Sequence, residues 1–310
     1  MLRYREWIND EVAMTSHDWP SLPLKEWQET YATLHIWTQI VGKIRMEFTP
    51  SLNHWWHTTL YVTPRGLSTS LIPYRQLSFE ITFDFIDHQL LVQTAASHVR
   101  TMLLRPMSVA QFYRDLMKLL DSLEIDAKIN LLPQEVPNPI PFDQDETHKS
   151  YEKEYARRHF HLLLQADRLM KKFRSGFVGK CSPVHFFWGS FDMAVTRFSG
   201  RAAPAVAGAD HATQEAYSQE VSSCGFWPGS GNIENPAFYA YFSPEPSGYA
   251  SSPLIPSPAF YNPPTKGYVL MYDEVKKAKD PDRLVLDFFQ STYEVGADLG
   301  EWNRGSLERS

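Results

Sequence analysis

The chain has 310 residues and lacks the features that mark several large classes of protein. It contains only two cysteines, Cys181 and Cys224, and a chain of this length needs no disulfide, so two reduced thiols are expected. No apolar run approaches the ~20 residues of a membrane helix, and residues 1–20 lack the apolar core of a secretory signal. The net charge of −6 argues against a basic stripe for nucleic acid. These absences predict a cytoplasmic protein with neither a membrane nor a nucleic acid as its partner.

A recognisable catalytic, cofactor or metal motif is also missing. The Gly-rich segment 225–231 lacks the strand, the spacing and the following helix of a phosphate-binding loop. His54 and His57 are three residues apart in a segment with strand propensity, which places them on opposite faces unless a bulge intervenes. We therefore predict no metal site, and the cofactor, the reaction and the oligomeric state stay unassigned.

Aromatic residues, by contrast, are abundant, at 14% of the chain, which predicts a well-filled core and a ring-lined pocket. Helical periodicity is found over residues 24–41, 109–123 and 149–175, and a last helix begins at Asp280 and Pro281. Ser108 is the expected N-cap of the second helix and Asp280 that of the last one. A short strand is expected at residues 129–132. Strand signals cluster between these helices instead of alternating with them. The pattern predicts an α+β fold with mainly antiparallel sheets flanked by helices.

Residues 133–148 are rich in proline and acidic side chains, which excludes regular structure there. This segment divides the chain into an N-terminal α+β half, residues 1–132, and a C-terminal α+β half, residues 149–310. We expect the two halves to pack as one unit.

Two segments suggest an internal duplication. In each, a helical run is followed by Val-Gly-Lys, a proline, an aromatic strand that contains histidine, and then Val-Thr, Arg and Gly. The first copy starts at Val41 and contains residues 53–66, and the second starts at Val178 and contains residues 185–200. The repeat predicts two related helix–strands–helix halves that enclose one cleft.

Polar and aromatic residues of these segments are the candidates for a site in that cleft. His185 and Asp192 are the catalytic candidates, since an imidazole oriented by a carboxylate can transfer protons if a bulge at Gly189 brings them to one face. Cations at matching positions could bind a carboxylate or phosphate, or could pair with acidic side chains. The candidate ligand-binding residues are Lys43, His57, Lys180, Arg197, Glu220, Trp188 and Trp227.

Several specific segments resemble one known family. They are residues 53–57 (NHWWH), 179–192 (GKCSPVHFFWGSFD), 195–200, 222–229 and 290–293. Together they resemble a bacterial family of proteins of about this length that is catalogued as a domain of unknown function. The resemblance implies a bacterial, cytoplasmic, stand-alone protein and carries over no catalytic residue.

Two hypotheses for function follow. The first is the binding, and in its concrete form the acid–base conversion, of a small organic ligand in the aromatic cleft, with an anionic ligand as one option. The alternative is a non-enzymatic protein-interaction module that uses the Pro-rich loops at 243–265 and around Pro228. Convergence of the polar candidates into one pocket would favour the first hypothesis.

Overall fold

The computed structural model describes residues 19–230, 233–254 and 256–309. Within these ranges the chain forms seven helices and two antiparallel sheets of six strands each, which confirms the predicted α+β class. Most of the N-terminal segment examined for a signal sequence, residues 1–18, lies outside the described residues.

Local sequence signals determine where the helices begin. The helices are α1 Leu24–Phe48, α2 Val109–Asp121, α3 Lys153–Ser175, α4 His211–Ala216, α5 Tyr272–Lys277, α6 Pro281–Leu299 and α7 Arg304–Leu307. The Ser108 hydroxyl accepts a hydrogen bond from the backbone N–H of Gln111 at 3.1 Å, and the Asp280 carboxylate accepts one from Arg283 at 2.9 Å. Both predicted N-caps are therefore confirmed. In the described part of the chain, no helix is both long and apolar enough to cross a membrane.

The first sheet has the strand order β1-β2-β4-β5-β6, with β3 paired to β4. Its strands are β1 Tyr61–Thr63, β2 Gly66–Ser68, β3 Ile72–Tyr74, β4 Leu77–Asp84, β5 Gln89–Thr94 and β6 Val99–Leu103. On β4, Phe79, Ile81 and Phe83 alternate into the core, and Phe83 stacks on Phe112 of α2. The strand predicted at residues 129–132 is not formed, and carbonyl oxygens of this stretch instead accept hydrogen bonds from Lys43.

The second sheet has the order β11-β12-β10-β9-β8-β7. Its strands are β7 His185–Phe187, β8 Asp192–Ala202, β9 Gln219–Trp227, β10 Ala237–Ser243, β11 Phe260–Asn262 and β12 Gly267–Met271. Side chains alternate across β8, so that Arg197 contacts the rings of Phe173 on α3 and Tyr293 on α6. The opposite face of β8 carries Asp192 and Thr196 and is not covered by these helices.

The two halves of the chain pack together. Leu60, just before β1, pairs with Phe186 of β7 through two backbone hydrogen bonds of 2.9 and 2.8 Å, which brings the two sheets together at these strands. One continuous hydrophobic core contains buried side chains of both halves, from Trp37 on α1 to Phe289 on α6. A cleft between the halves therefore has rigid, packed sides.

The Pro-rich segment lies against α1. The backbone N–H and C=O of Gln134 each form a 2.8 Å hydrogen bond with the side-chain amide of Gln39. Further along, the Phe142 ring is fully buried, and the ammonium of Lys43 lies 5.3 Å from its centre. The segment forms no helix or strand, as predicted, and it contributes to the core.

The two repeated segments differ in local structure. Residues 41–43 lie inside α1, whereas residues 178–180 follow the end of α3. In the first copy the histidine-containing part, Asn53–Trp55, is a short 3-10 turn and the strand β1 starts only at Tyr61, whereas in the second copy the strand β7 contains the histidine. In each half a helix is followed by an antiparallel sheet and then by another helix. At this level of element order the duplication stays a prediction.

Candidate functional site

A cavity of about 700 Å³ opens between the two halves, on the face of the second sheet that α3 and α6 do not cover. One side is the sheet itself, through alternate residues of β8, β9 and β10. The other sides are the segment 54–58, residues 134 and 135 of the Pro-rich segment, the β7–β8 hairpin loop and helix α4. Met46 of α1 lines it as well, so segments that are far apart in the chain enclose one volume.

The strand register places the polar groups of the sheet. Ala194 pairs with Gly225, which in turn pairs with Tyr239, so these three positions form one row across β8, β9 and β10. A β-carbon at Gly225 would overlap the phenol ring of Tyr239, so only glycine lets that ring lie across β9. The ring spans β9 and reaches Asp192 at the start of β8.

Asp192 is the most buried carboxyl group of the cavity lining, with 9% of the residue exposed. It accepts hydrogen bonds from the hydroxyls of Ser190 and Tyr239. No Lys, Arg or His within the described ranges forms an ion pair with it. Burial raises the pKa of Asp192, and the two hydroxyl donors oppose part of that rise.

Glu135 brings a second carboxylate to the cavity from the Pro-rich segment. Its backbone has a φ of 55°, in the left-handed region, and its side chain reaches the backbone of Gly189, where a β-carbon would lie 2.6 Å from Oε1. Burial raises the pKa of Glu135, and the negative charge of Asp192 raises it further. The two carboxylates are therefore close enough to repel each other.

His54 lies in a strained turn at the edge of the cavity. His54 and Trp55 have φ values of 58° and 60°, a left-handed pair of non-glycine residues of the kind found at functional sites. The Nδ1 of His54 lies 3.1 Å from two carbonyl oxygens of α4, so it carries the ring proton. Nε2 therefore accepts from the ammonium of Lys180 at 2.6 Å, and burial lowers the pKa of His54.

Aromatic rings cover much of the remaining lining. Trp188 packs against Gly42 of α1, and its indole N–H donates to the Thr58 carbonyl at 2.6 Å. The lining also contains Trp55, Trp56, Phe187, Phe198, Tyr217, Tyr239 and Tyr241. The Tyr217 and Tyr241 hydroxyls lie 2.9 Å apart, so they bind each other.

Of the residues predicted for the site, Asp192 and Trp188 line the cavity. Lys180 lies just outside the lining, with its ammonium 4.7 Å from the Phe198 ring. The predicted carboxylate-oriented imidazole is not formed. The hairpin does place His185 and Asp192 on the same face, but Asp192 binds hydroxyls, and neither ring nitrogen of His185 has a hydrogen-bond partner among the described residues.

The other predicted residues lie elsewhere. Lys43 is buried and binds backbone carbonyls, and Arg197 lies on the helix-covered face of the sheet. His57 accepts a hydrogen bond from the backbone of Leu52 at 3.2 Å, and Glu220 pairs with Arg201 at 2.6 Å. Trp227 packs with a small separate cluster that contains Ile233 and Val269. None of these side chains is on the cavity lining.

Sequence reasoning did not select Glu135, Tyr217, Tyr239 or Tyr241 as site residues. A signal for the two tyrosines of β10 was present, because Phe238, Ala240 and Phe242 alternate with Tyr239 and Tyr241, which separates an apolar face from a phenolic one. Nothing local marks Glu135, since its position depends on how the Pro-rich segment packs.

Neither cysteine is on the cavity lining. Cys181 and Cys224 are free thiols, and burial raises the pKa of both, which opposes thiolate formation. In the described part of the chain, no group of three or more His, Cys, Asp or Glu side chains is placed to hold a metal ion.

The Pro-rich loop 243–265 offers limited apolar surface. Among its described residues, Phe260 on the edge strand β11 is the one large apolar side chain with high exposure, at 42%. Tyr249 is fully buried, and Tyr268 of β12 donates to its carbonyl oxygen at 2.6 Å, which holds the loop on the sheet.

Comparison with known proteins identifies the family and nothing beyond it. A family model described as "Family of unknown function (DUF5996)" matches residues 19–309, so the chain belongs to this family. No curated protein and no solved structure shows a significant match to the chain.

Proposed function

We propose that this member of the DUF5996 family binds a small organic molecule in the cavity between its two halves. The observation that supports this most directly is the cavity of about 700 Å³ with aromatic sides and a buried, hydroxyl-bound Asp192. Its size lies within the range of ~300–1,000 Å³ that is usual for small-molecule sites, which combine apolar walls with a few oriented polar groups.

The strain and burial around the cavity support the same proposal. The left-handed turn at His54 and Trp55 and the buried carboxylate of Asp192 both cost folding free energy. Among the described residues no ion pair offsets the burial of Asp192. Proteins keep such features where they serve a ligand.

A variant that fills the cavity tests this function. Ala194 lies on β8 with its side chain toward the cavity, so Ala194→Phe should occupy part of the volume. Ala202→Phe, on the same strand but exposed and outside the lining, is the matched control. Thermal unfolding of both variants and the wild type is measured against a library of small organic compounds. We expect compounds that raise the Tm of the wild type and of Ala202→Phe but not of Ala194→Phe.

Two outcomes of this screen would contradict the proposal. One is that no compound stabilises the wild type, and the other is that compounds stabilise Ala194→Phe as well as the wild type. A native mass spectrum of the purified protein gives an independent readout, since a bound ligand adds mass that is lost on denaturation.

A second candidate, acid–base conversion of the bound molecule, is favoured by one observation. Asp192 and Glu135 both lie on the lining, and burial raises the pKa of each toward the range where a carboxyl group can exchange protons. On this reading Asp192 transfers the proton and Tyr239 positions it, whereas His185 has no part. Turnover of a compound found in the screen, lost in Asp192→Asn with binding retained, is the expected result. Unchanged turnover in that variant would refute it.

A further inference from the structure

The charged groups on the cavity lining all have the same sign. The described lining residues include three carboxylates, Asp192, Glu135 and Asp210, and no lysine or arginine. Asp210 is already engaged as the N-cap of α4, where it accepts a hydrogen bond from Thr213 at 2.8 Å. The charge of the cavity therefore rests on Asp192 of the C-terminal half and on Glu135 of the Pro-rich segment.

The cations near the cavity do not balance these carboxylates. Lys180, the nearest predicted cation, directs its ammonium to His54 at 2.6 Å and to Gln219 at 3.1 Å. Within the described ranges the side-chain donors to Asp192 are neutral, the hydroxyls of Ser190 and Tyr239. A buried carboxylate without a cation is costly, and a positively charged ligand would remove that cost.

The aromatic rings suit the same kind of ligand. Trp188 is held in place by its hydrogen bond to Thr58 and by its contact with Gly42, so its ring is a fixed surface beside residues 189–192. Trp56 and Phe198 line the same volume, and the Lys180 ammonium already lies 5.8 and 4.7 Å from their ring centres, so this pair of rings holds a cation of the protein itself. Rings attract organic cations at their faces, most strongly where water is displaced. The negative face of a ring does not attract an anion in this way.

We propose that the ligand is a small organic cation, a primary to quaternary ammonium compound, whose charged group binds between Asp192 and Glu135 while its carbon groups pack against the aromatic rings. This inference rests on the proposed function and names the ligand class for the same cavity. The anionic ligand considered from the sequence would meet two carboxylates and no cation on the described lining.

Compounds of similar shape and different charge test the ligand class. Each cation is compared with a neutral alcohol and a carboxylate: choline with 3,3-dimethylbutan-1-ol, in which carbon replaces the charged nitrogen, and with 3,3-dimethylbutanoate, and phenethylamine with 2-phenylethanol and phenylacetate. Binding is followed by tryptophan fluorescence and by calorimetry at millimolar compound. We expect binding to be confined to the ammonium members and to strengthen as the pH rises and the carboxyl groups ionise.

Variants of the carboxylates provide the matched controls. Asp192→Asn and Glu135→Gln should each weaken binding of the ammonium compounds at least about tenfold, as loss of a charge-assisted contact does. Glu220→Gln removes a carboxylate that lies outside the lining and pairs with Arg201, so it should leave binding unchanged. Glu135→Gln keeps the test valid if Asp192→Asn does not fold.

Each result separates this inference from the proposed function. Binding of the alcohols or carboxylates at equal or higher affinity would overturn the cationic ligand and keep the cavity as a binding site. Ammonium binding that is insensitive to both carboxylate variants would overturn it as well. Absence of binding by every compound of the set and of the library would overturn both.

Discussion

Loss of the Tyr239 hydroxyl offers the sharpest test of how the cavity is built. Tyr239 donates to the carboxylate of Asp192, whereas Tyr241, two residues along the same strand, binds only neutral hydroxyls such as that of Tyr217. Tyr239→Phe and Tyr241→Phe thus remove the same atom from neighbouring positions on one face. The two variants differ mainly in whether the lost partner is charged.

The expected magnitudes follow from that difference. A hydrogen bond to a charged group contributes ~1.5–3 kcal/mol, and one between neutral groups contributes ~0.5–1.5 kcal/mol. We expect Tyr239→Phe to lower the free energy of unfolding by about 2 kcal/mol near neutral pH, and Tyr241→Phe by about 1 kcal/mol. Urea denaturation followed by tryptophan fluorescence measures both values.

The pH dependence gives a second readout. Because the Tyr239 hydroxyl lowers the pKa of Asp192, its removal raises that pKa in the folded protein. The decrease in unfolding free energy caused by Tyr239→Phe should then reach its full size at a pH above the pKa of Asp192 in the folded protein. It should become smaller as the pH falls and the carboxyl group becomes neutral. If Tyr239→Phe and Tyr241→Phe lower the free energy of unfolding equally at every pH, the idea that Tyr239 binds a charged Asp192 is refuted.

Three further predictions concern packing and titration. Gly42→Ala places a β-carbon 2.5 Å from Cγ of Trp188, so the variant should be less stable in urea denaturation, because overpacking of ~1–3 kcal/mol exceeds the gain in helix propensity of ~1 kcal/mol. Gly305→Ala is the control and should be neutral or stabilising, since its β-carbon would lie 3.9 Å from Oδ1 of Asn303. Burial lowers the pKa of His185 to about 3, and neither ring nitrogen is hydrogen-bonded within the described ranges. His185→Phe should therefore raise the free energy of unfolding by about 1 kcal/mol and reduce the stability that the protein loses as the pH falls from 6.5 to about 3. A less stable variant would contradict this. Burial lowers the pKa of Lys43 from 10.5 to about 8, so between these pH values the unfolded chain binds more protons than the folded one. The stability of the wild type should therefore rise over this pH range relative to that of Lys43→Met. Parallel curves of stability against pH for the two proteins would show that the shift is absent.

Much of the fold could be predicted from signals between residues that are close in the sequence. The N-caps at Ser108 and Asp280 operate within a single helical turn, so neighbouring residues alone determine them, and both are confirmed. Alternation within β4 likewise reports which side of a strand is buried. The antiparallel sheets and flanking helices follow from such short-range patterns, which explains why the α+β class could be predicted.

Local signals failed where a segment depends on distant partners. The aromatic residues around His54 have high strand propensity, yet the chain forms a left-handed turn there because His54 binds the last carbonyl groups of α4 and the ammonium of Lys180. Residues 129–132 similarly give their carbonyl oxygens to Lys43 instead of to a strand.

The sequence by itself determined the four longer helices, the strand-rich regions and the aromatic content, and it selected Asp192 and Trp188 as candidates for the site. Only the tertiary structure decided which cations face away, with Lys43 and Arg197 directed into the core, and which carboxylate arrives from the Pro-rich segment. The physical reason is that a cavity is formed by the register between strands and by loops packed across them. Those contacts join residues far apart in the chain, and spacing along the sequence does not record them.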